Sequence, residues 1–535
     1  MIPQDFLKAI AAERSVSDSE IEVLSHALAG ETITTIATCL DIRPEAVRKR
    51  LGEVYKKFHI AGAGPGKMAK LQQILVSQYQ EHQTQIALEA SGEELSLVGG
   101  ANKERQDWGE APDVSIFYGR SEQLNTLKEW MIADECRLVA VLGMGGIGKT
   151  ALAVKFAQQA ITEFDYIIWR SLRHGIPLKD LLDNLLHILS LRRTAYALTE
   201  VNEKISQLIS YFRHHRCLLI LDSVETILKS GELAGNYREE YEEYGDFFRR
   251  IGEEPHHSCL VLTSLEKPKE ISLLEGKTMP VRSLLLKDLR SEEAREIFKA
   301  KGLSEEDKWE NLIALYRGNP LALKIIATTI RDLFGGQVSE FLKQNTLVFG
   351  DISGLLEQQF QRLSPLEQEL LYWLALERIP VGLQKLRQNM LLPVSQRELL
   401  EAVASLGRRS LIEKDPEKEE AVFSLQPAVI EYVSDKIIEQ VCTEIREVFK
   451  TKKTEKLVLL RSHALIQNHA ETTVKAAQVK YILSPIKDRL RRIFRSESRI
   501  QEYLTQIQPL LQGEPPLEVG YAMENVLLLN GPTDV

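Results

Sequence analysis

No run of about 18 apolar residues occurs anywhere in the 535-residue sequence, so no membrane-spanning helix is expected. The first residues, MIPQDFLKAIAAERS, carry Asp5 and Glu13 and lack an apolar h-region, so no secretory signal is read there either. Cysteine is scarce. The five residues Cys39, Cys136, Cys217, Cys259 and Cys442 lie far apart, without CxxC or Cys/His ligand spacing. That excludes a disulfide framework and fits buried thiols in a reducing cytoplasm. Two histidine pairs, His214-His215 and His256-His257, also lack partners at ligand spacing and read as solvated loop residues rather than a metal site. Glycine (31) and proline (19) together fall below average usage, which excludes low-complexity and collagen-like chains.

What is present is a helix-rich globular composition, 44% hydrophobic and 27% charged, long enough for about three to five compact units. The net charge of −9 argues against a dedicated nucleic-acid coat. The average conceals segments. Arg43 to Lys57 holds six basic residues against two acids, and Thr443 to Ile500 holds fourteen against six. Gly231 to Glu254 reverses this with three against eight. Basic runs are where an anionic partner would be sought, although most are solvated helix faces.

Residues 1–90 read as short helices: Ser17-Asp18-Ser19-Glu20 caps IEVLSHALAG with Gly30 as its stop, and TITTIATCL and PEAVRKRLGEVYKKF follow, the latter with Pro44 in its first turn. Residues 91–115 lack apolar periodicity and read as a linker. From 116 to 286, the apolar runs RLVAVLG, DYIIWRSL, CLLILD, SCLVLTS and VRSLLL alternate with helical patterns, the signature of a parallel sheet covered on both faces. Beyond 287 the pattern is helical. Residues 287–355 form a helical domain, 356–440 helices with the hairpin candidate SLIEKDPEKEEAVFSLQ, suggesting a winged helix, and 441–535 a basic helical arm. The fold class is therefore multidomain α/β plus α.

Gly143-Met144-Gly145-Gly146-Ile147-Gly148-Lys149-Thr150 fits G-x-x-x-x-G-K-[ST] between a predicted strand and the helix that Ala151 continues. Glycines let backbone N–H groups approach phosphate oxygens, and the helix N-terminus adds its unpaired donors. Lys149 would reach the β/γ-phosphates and Thr150 would ligate Mg²⁺. Asp222, ending CLLILD, is the carboxylate for the Mg²⁺ shell. Ser223 follows where many hydrolysing relatives carry a second acid, with Glu225 two residues further on. A hydroxyl cannot polarise water as a carboxylate can, so nucleotide binding is better supported than fast hydrolysis. Thr263 and Ser264 could approach the γ-phosphate, but Leu265 and Glu266 come next where a cation would be useful.

These residues resemble the NB-ARC class of signal-transduction ATPases with numerous domains, the STAND NTPases, especially bacterial chains in which the module precedes WD or pentapeptide repeats. The likeness runs from about Ile116 to about Ile500. Phe117-Tyr118-Gly119-Arg120 looks like the motif whose backbone lies along the adenine, and Gly318-Asn319-Pro320-Leu321-Ala322 is similar to the GLPL motif whose proline packs on the base. The resemblance implies ATP or ADP sandwiched between a sheet domain, a helical domain and a winged helix, with ADP holding a closed form and ATP permitting self-association. Three positions depart from the pattern: Leu265 in place of the sensor Arg, Ser223 in place of the second acid, and Gln426 where a His would meet the ADP β-phosphate. The N-terminal segment resembles LuxR-type helix-turn-helix domains, where Arg48, Lys49 and Arg50 would face DNA; a protein-docking bundle is the alternative. The implied function is a cytoplasmic nucleotide switch in stress or antiphage signalling, at most a slow ATPase. An ATP-dependent DNA-binding regulator is the competing reading.

Overall fold

Ser17 opens the first helix by donating its backbone N–H to Glu20 Oε2 at 2.7 Å, one half of a capping box. The computed structural model describes residues 16–28, 33–58, 71, 105–189, 199–344, 350–415, 418 and 420–531, in two units, Met1–Ala101 and Asn102–Val535. In the first unit, α1 (Asp18–Leu28), α2 (Ile33–Cys39) and α3 (Pro44–Lys57) close on Val23, Ala27, Ile36, Ala37, Val47 and Leu51. The turn before α3 places Asp41 at φ 50°, a conformation that Asp tolerates better than most residues. Arg48 and Lys49 are exposed on α3. Gly30, the expected stop of α1, lies outside the described residues, as does the linker through Glu104.

The second unit is built on a six-stranded parallel sheet in the order β1-β3-β4-β5-β2-β6, with β1 Gln106–Asp107, β2 Leu138–Leu142, β3 Tyr166–Ser171, β4 Cys217–Asp222, β5 Cys259–Ser264 and β6 Val281–Leu285. Every residue of β2, β4 and β5 is buried, which is why these strands read as unbroken apolar runs. Alternation still shows in where they pack: Leu138, Ala140, Leu142, Leu219 and Leu221 enter one core, and Val139, Val141, Leu218 and Ile220 the other. At about 1.5–3 kcal/mol for each fully buried large aliphatic side chain, these central strands anchor the unit. The two polar residues of β1 lie inside the segment read as linker. They pair with Ile167 and Ile168, and Asp107 meets Arg170 at 2.6 Å, so the sheet begins about ten residues earlier than expected.

The phosphate loop leads from β2 into α4 (Lys149–Gln159). After the sheet come α5 (Pro320–Phe334), α6 (Gly350–Phe360), α7 (Pro365–Glu377), α8 (Gln396–Arg408) and α9 (Pro427–Thr451), with a small antiparallel sheet in the order β7-β9-β8. Its strands are Val381–Gly382, Glu413–Lys414 and Val422–Ser424; the hairpin is the expected one, and β7 is an unread third strand. Positions 355 and 440, expected as boundaries, lie within α6 and α9, and buried apolar residues from Leu289 to Leu529 pack in one core. No helix among the described residues is long and apolar enough to cross a membrane.

Two minor expectations change. Cys39 is exposed while the other four thiols are buried. His256 is buried beneath Phe212, with a ring nitrogen on Ile251 O at 2.9 Å, and burial lowers its pKa to about 4.

Candidate nucleotide site

The loop after β2 turns on glycines in left-handed or otherwise unusual backbone conformations, and Gly146 shows why no larger residue fits. Its φ is +76°, and a Cβ there would lie 2.7 Å from Leu321 Cβ and 3.1 Å from Asn319 Oδ1. Lys149 opens α4 and folds back over the loop, its ammonium donating to Gly143 O at 2.9 Å and Met144 O at 3.0 Å. Burial lowers its pKa to about 8, opposed by the charges of Glu225 and Asp222.

Asp222 collects hydroxyl donors. Thr150 Oγ1 donates to Oδ1 at 2.6 Å and Thr263 Oγ1 to the same oxygen at 2.7 Å, while Ser223 Oγ donates to Oδ2 at 3.1 Å. Motif hydroxyl and strand-end carboxylate are thus brought together across 72 residues of sequence. This oxygen donor pair fits Mg²⁺, which takes one or two protein oxygens and completes its shell with phosphate and water. Among the described residues no three His, Cys, Asp or Glu side chains converge, and a phosphate-bound Mg²⁺ needs no such cluster.

Several predicted contributors take other partners. Thr263 is committed to Asp222, and its oxygen also accepts the Ser223 N–H at 3.0 Å. Ser264 is fully buried, with its hydroxyl accepting the Glu266 N–H at 3.3 Å. Glu225 Oε2 accepts the Leu265 N–H at 3.2 Å, which aims the carboxylate at the end of β5. The Arg120 guanidinium donates to Lys287 O at 2.5 Å and Ile147 O at 3.0 Å, supporting the phosphate loop through a carbonyl. Its own N–H donates to Glu293, the residue against which Gly119 packs. Tyr118 lies under the Lys324 ammonium at 5.6 Å.

Pro320 occupies the first position of α5, where its missing N–H costs nothing. Asn319 caps that helix by accepting from Leu321 and Ala322, and its Nδ2 donates to Gly145 O at 3.0 Å. Leu321 N–H donates to Gly146 O at 3.2 Å. Gln359 of α6 is buried, its amide nitrogen 2.8 Å from where a Cβ on Gly145 would stand. Gln426 donates to Glu413 at 3.1 Å, and Glu413 pairs with Arg317 at 2.8 Å, next to Gly318. Gln426 is therefore joined to the segment before Asn319 through an acid and an arginine.

One cluster escaped sequence reasoning. Glu266, two residues past β5, is held by Arg362 and by Arg409, the latter at 2.6 Å, and Arg409 also meets Glu367 at 3.1 Å. Ser405 donates to Glu367 at 2.6 Å and accepts the Ala234 N–H at 2.7 Å. Burial pushes the Glu266 pKa up against the pull of both arginines. Glu266, Glu367 and Arg409 are all buried, and the partners lie too far apart in sequence for any local pattern to join them.

The NB-ARC domain family matches residues 120–231, the span from Arg120 through the phosphate loop to just beyond Asp222. An uncharacterized WD repeat-containing protein of Nostoc sp. is 45% identical over 462 residues, covering 79% of this chain and 36% of that protein. The matched region thus spans about a third of the relative's length. Among solved structures, a Walker-type ATPase of Pyrococcus abyssi aligns with TM-score 0.40 and 16% identity, over 59% of this chain and 96% of that one. A signal transduction ATPase with numerous domains and a tetratricopeptide repeat sensor, from Pyrococcus horikoshii, aligns with TM-score 0.32 and 18% identity, over 79% and 59%. The residues matched by the family include the phosphate loop, Thr150 and Asp222 described above.

Proposed function

We propose that the chain is an ATP/ADP-operated switch of the STAND class, acting in the cytoplasm. Nucleotide binds at Gly143–Ala151, with Mg²⁺ held by Thr150 and Asp222, where the ion would neutralise phosphate charge. Residues from Asn319 to Leu321, with Pro320 against the base, close the site. The observation that carries this reading is the pair of hydrogen bonds from Asn319 and Leu321 to the carbonyls of Gly145 and Gly146. The loop that would cradle phosphate is the same loop that holds its cover, so a change of phosphate acts directly on the closed arrangement. Residues 356–440 serve as a winged helix whose Gln426 stands in for the usual phosphate-sensing His. The open form self-associates and the N-terminal helices, a helix-turn-helix of LuxR type, act as output in stress or antiphage signalling. Size-exclusion chromatography with light scattering, in ADP and then in ATP with Mg²⁺, tests the switch: assembly only with ATP is expected, and one unchanged mass in both would refute it.

Exposed Arg48 and Lys49 on α3 favour a second reading, an ATP-dependent DNA-binding regulator. The same samples on duplex DNA decide between them. Nucleotide-dependent DNA binding by a dimer supports the regulator, and assembly without DNA binding supports the switch.

Ser223 cannot act as a second acid, so ATP turnover below about 0.1 s⁻¹ is expected for the unstimulated chain, against roughly 1 to 10³ s⁻¹ for typical enzymes. Glu225 is the nearby carboxylate able to spoil this. Phosphate release by the parent and by Glu225→Gln is the check: fast release lost in the variant would make Glu225 the hydrolytic acid, and fast release in both would overturn the reading of the strand.

A further inference from the structure

The residues after β5 bring no cation to the terminal-phosphate side of the site: Leu265 is apolar and Glu266 is an acid bound to two arginines. A cation arrives from the neighbouring strand instead. β3 and β4 pair in parallel with Ser171 opposite Asp222, so the chain leaving β3 emerges beside the Asp222 carboxylate. The backbone there is held from both sides. Leu172 N–H donates to Asp222 O at 2.8 Å, and Thr226 Oγ1 donates to Leu172 O at 2.5 Å. Tyr241 and Tyr244 hydroxyls donate to Gly175 O at 2.9 Å and Ile176 O at 2.8 Å.

Within this clamped segment the Arg173 side chain is 64% exposed, with Nε 3.8 Å from Asp222 Oδ2 and 3.5 Å from Ser223 Oγ. Its backbone is fixed while its guanidinium stays open to an incoming anion. Of the other cations nearby, Lys149 is the one the motif gives to the β- and γ-phosphates, while Arg120 donates to two carbonyls, Arg362 and Arg409 hold Glu266, and Lys267 holds Glu275 at 2.6 Å. We propose that Arg173 is a specificity-determining residue that contacts the terminal phosphate of a bound nucleoside triphosphate and so separates triphosphate from diphosphate. A planar guanidinium presents paired donors that match phosphate oxygens, and such charge-assisted bonds are among the stronger ones. The proposal rests on nucleotide occupying the phosphate loop.

The test is calorimetric titration of the full chain, Arg173→Ala, Arg173→Lys and Lys149→Ala with ADP and with adenylyl imidodiphosphate, both with Mg²⁺. Arg173→Ala is expected to weaken the triphosphate analogue by about tenfold to a hundredfold, while ADP affinity stays within about twofold. Arg173→Lys, which keeps the charge, recovers part of that loss. Arg173→Gln is a second neutral variant for which the same ratio is expected. Equal weakening of both nucleotides would mean that Arg173 only shapes the segment, and no weakening would remove it from the site; either result overturns the proposal. Lys149→Ala separates the two readings. If it loses both nucleotides while Arg173→Ala keeps both, only the Arg173 assignment fails; if it binds both normally, the phosphate-loop reading fails with it.

Discussion

Lys149→Ala is expected to abolish measurable nucleotide binding, with affinity falling by at least about a hundredfold. The ammonium is the cation that the motif places against the β- and γ-phosphates, and hydrogen bonds to charged groups contribute about 1.5–3 kcal/mol each. It also donates to Gly143 O and Met144 O and so ties the last residues of the loop to its first two. Alanine removes both contributions: the incoming phosphate loses its cation, and the loop loses the tie that shapes it. Isothermal titration of a variant whose circular dichroism matches the parent is the measurement, and normal ATP affinity there would sink the assignment of the site.

Arg409→Ala is expected to destabilise the second unit by about 3–5 kcal/mol, because truncating one member of a buried ion cluster leaves the opposing charges without compensation. Glu367 would keep the Ser405 hydroxyl and the Ser364 N–H, and Glu266 would keep Arg362 alone. The cluster ties the end of β5 and the Gly231–Ala234 segment to α7 and α8, so losing Arg409 weakens that tie and leaves the bonds of Arg362 and Ser405 to carry it. In the switch reading the variant self-associates even in ADP. Thermal melting and light scattering on one sample check both effects; a variant with the stability and the mass of the parent would show that these elements are held by apolar packing alone.

The apolar runs of β2, β4 and β5 were legible as strands because burial on both faces leaves a strand no polar side, and the glycine-rich loop was legible because phosphate chemistry demands its spacing. Asp222 followed from its place at a strand end. What stayed hidden has physical causes. β1 is two polar residues whose pairing is a backbone matter, carrying no side-chain pattern. α9 continues past 440 because its buried face changes neighbours along its length without changing period. Ser264 has the right residue type at the right strand end, and its bond to the Glu266 N–H could not be read from the sequence. The cation sought after β5 stands after β3, since register, and not sequence order, decides which strand ends are neighbours. The Glu266 cluster joins residues from three distant segments, a relation invisible before the chain is folded.

α9 has a mechanical consequence. Its 25 residues form one unbroken rod of roughly 37 Å at 1.5 Å per residue, starting at Gln426 beside the small antiparallel sheet and ending against the C-terminal helices. A rod of that length is a lever: a tilt of about 10° at the Gln426 end would sweep its far end through roughly 6 Å. Arg317 and Glu413 couple that fulcrum to the loop preceding Asn319. Because Val429 to Val448 are packed in one core with the surrounding helices, such a tilt would carry those helices with it, so a force on the C-terminal arm would be shared by the whole helical body that Arg317 and Glu413 join to the loop preceding Asn319.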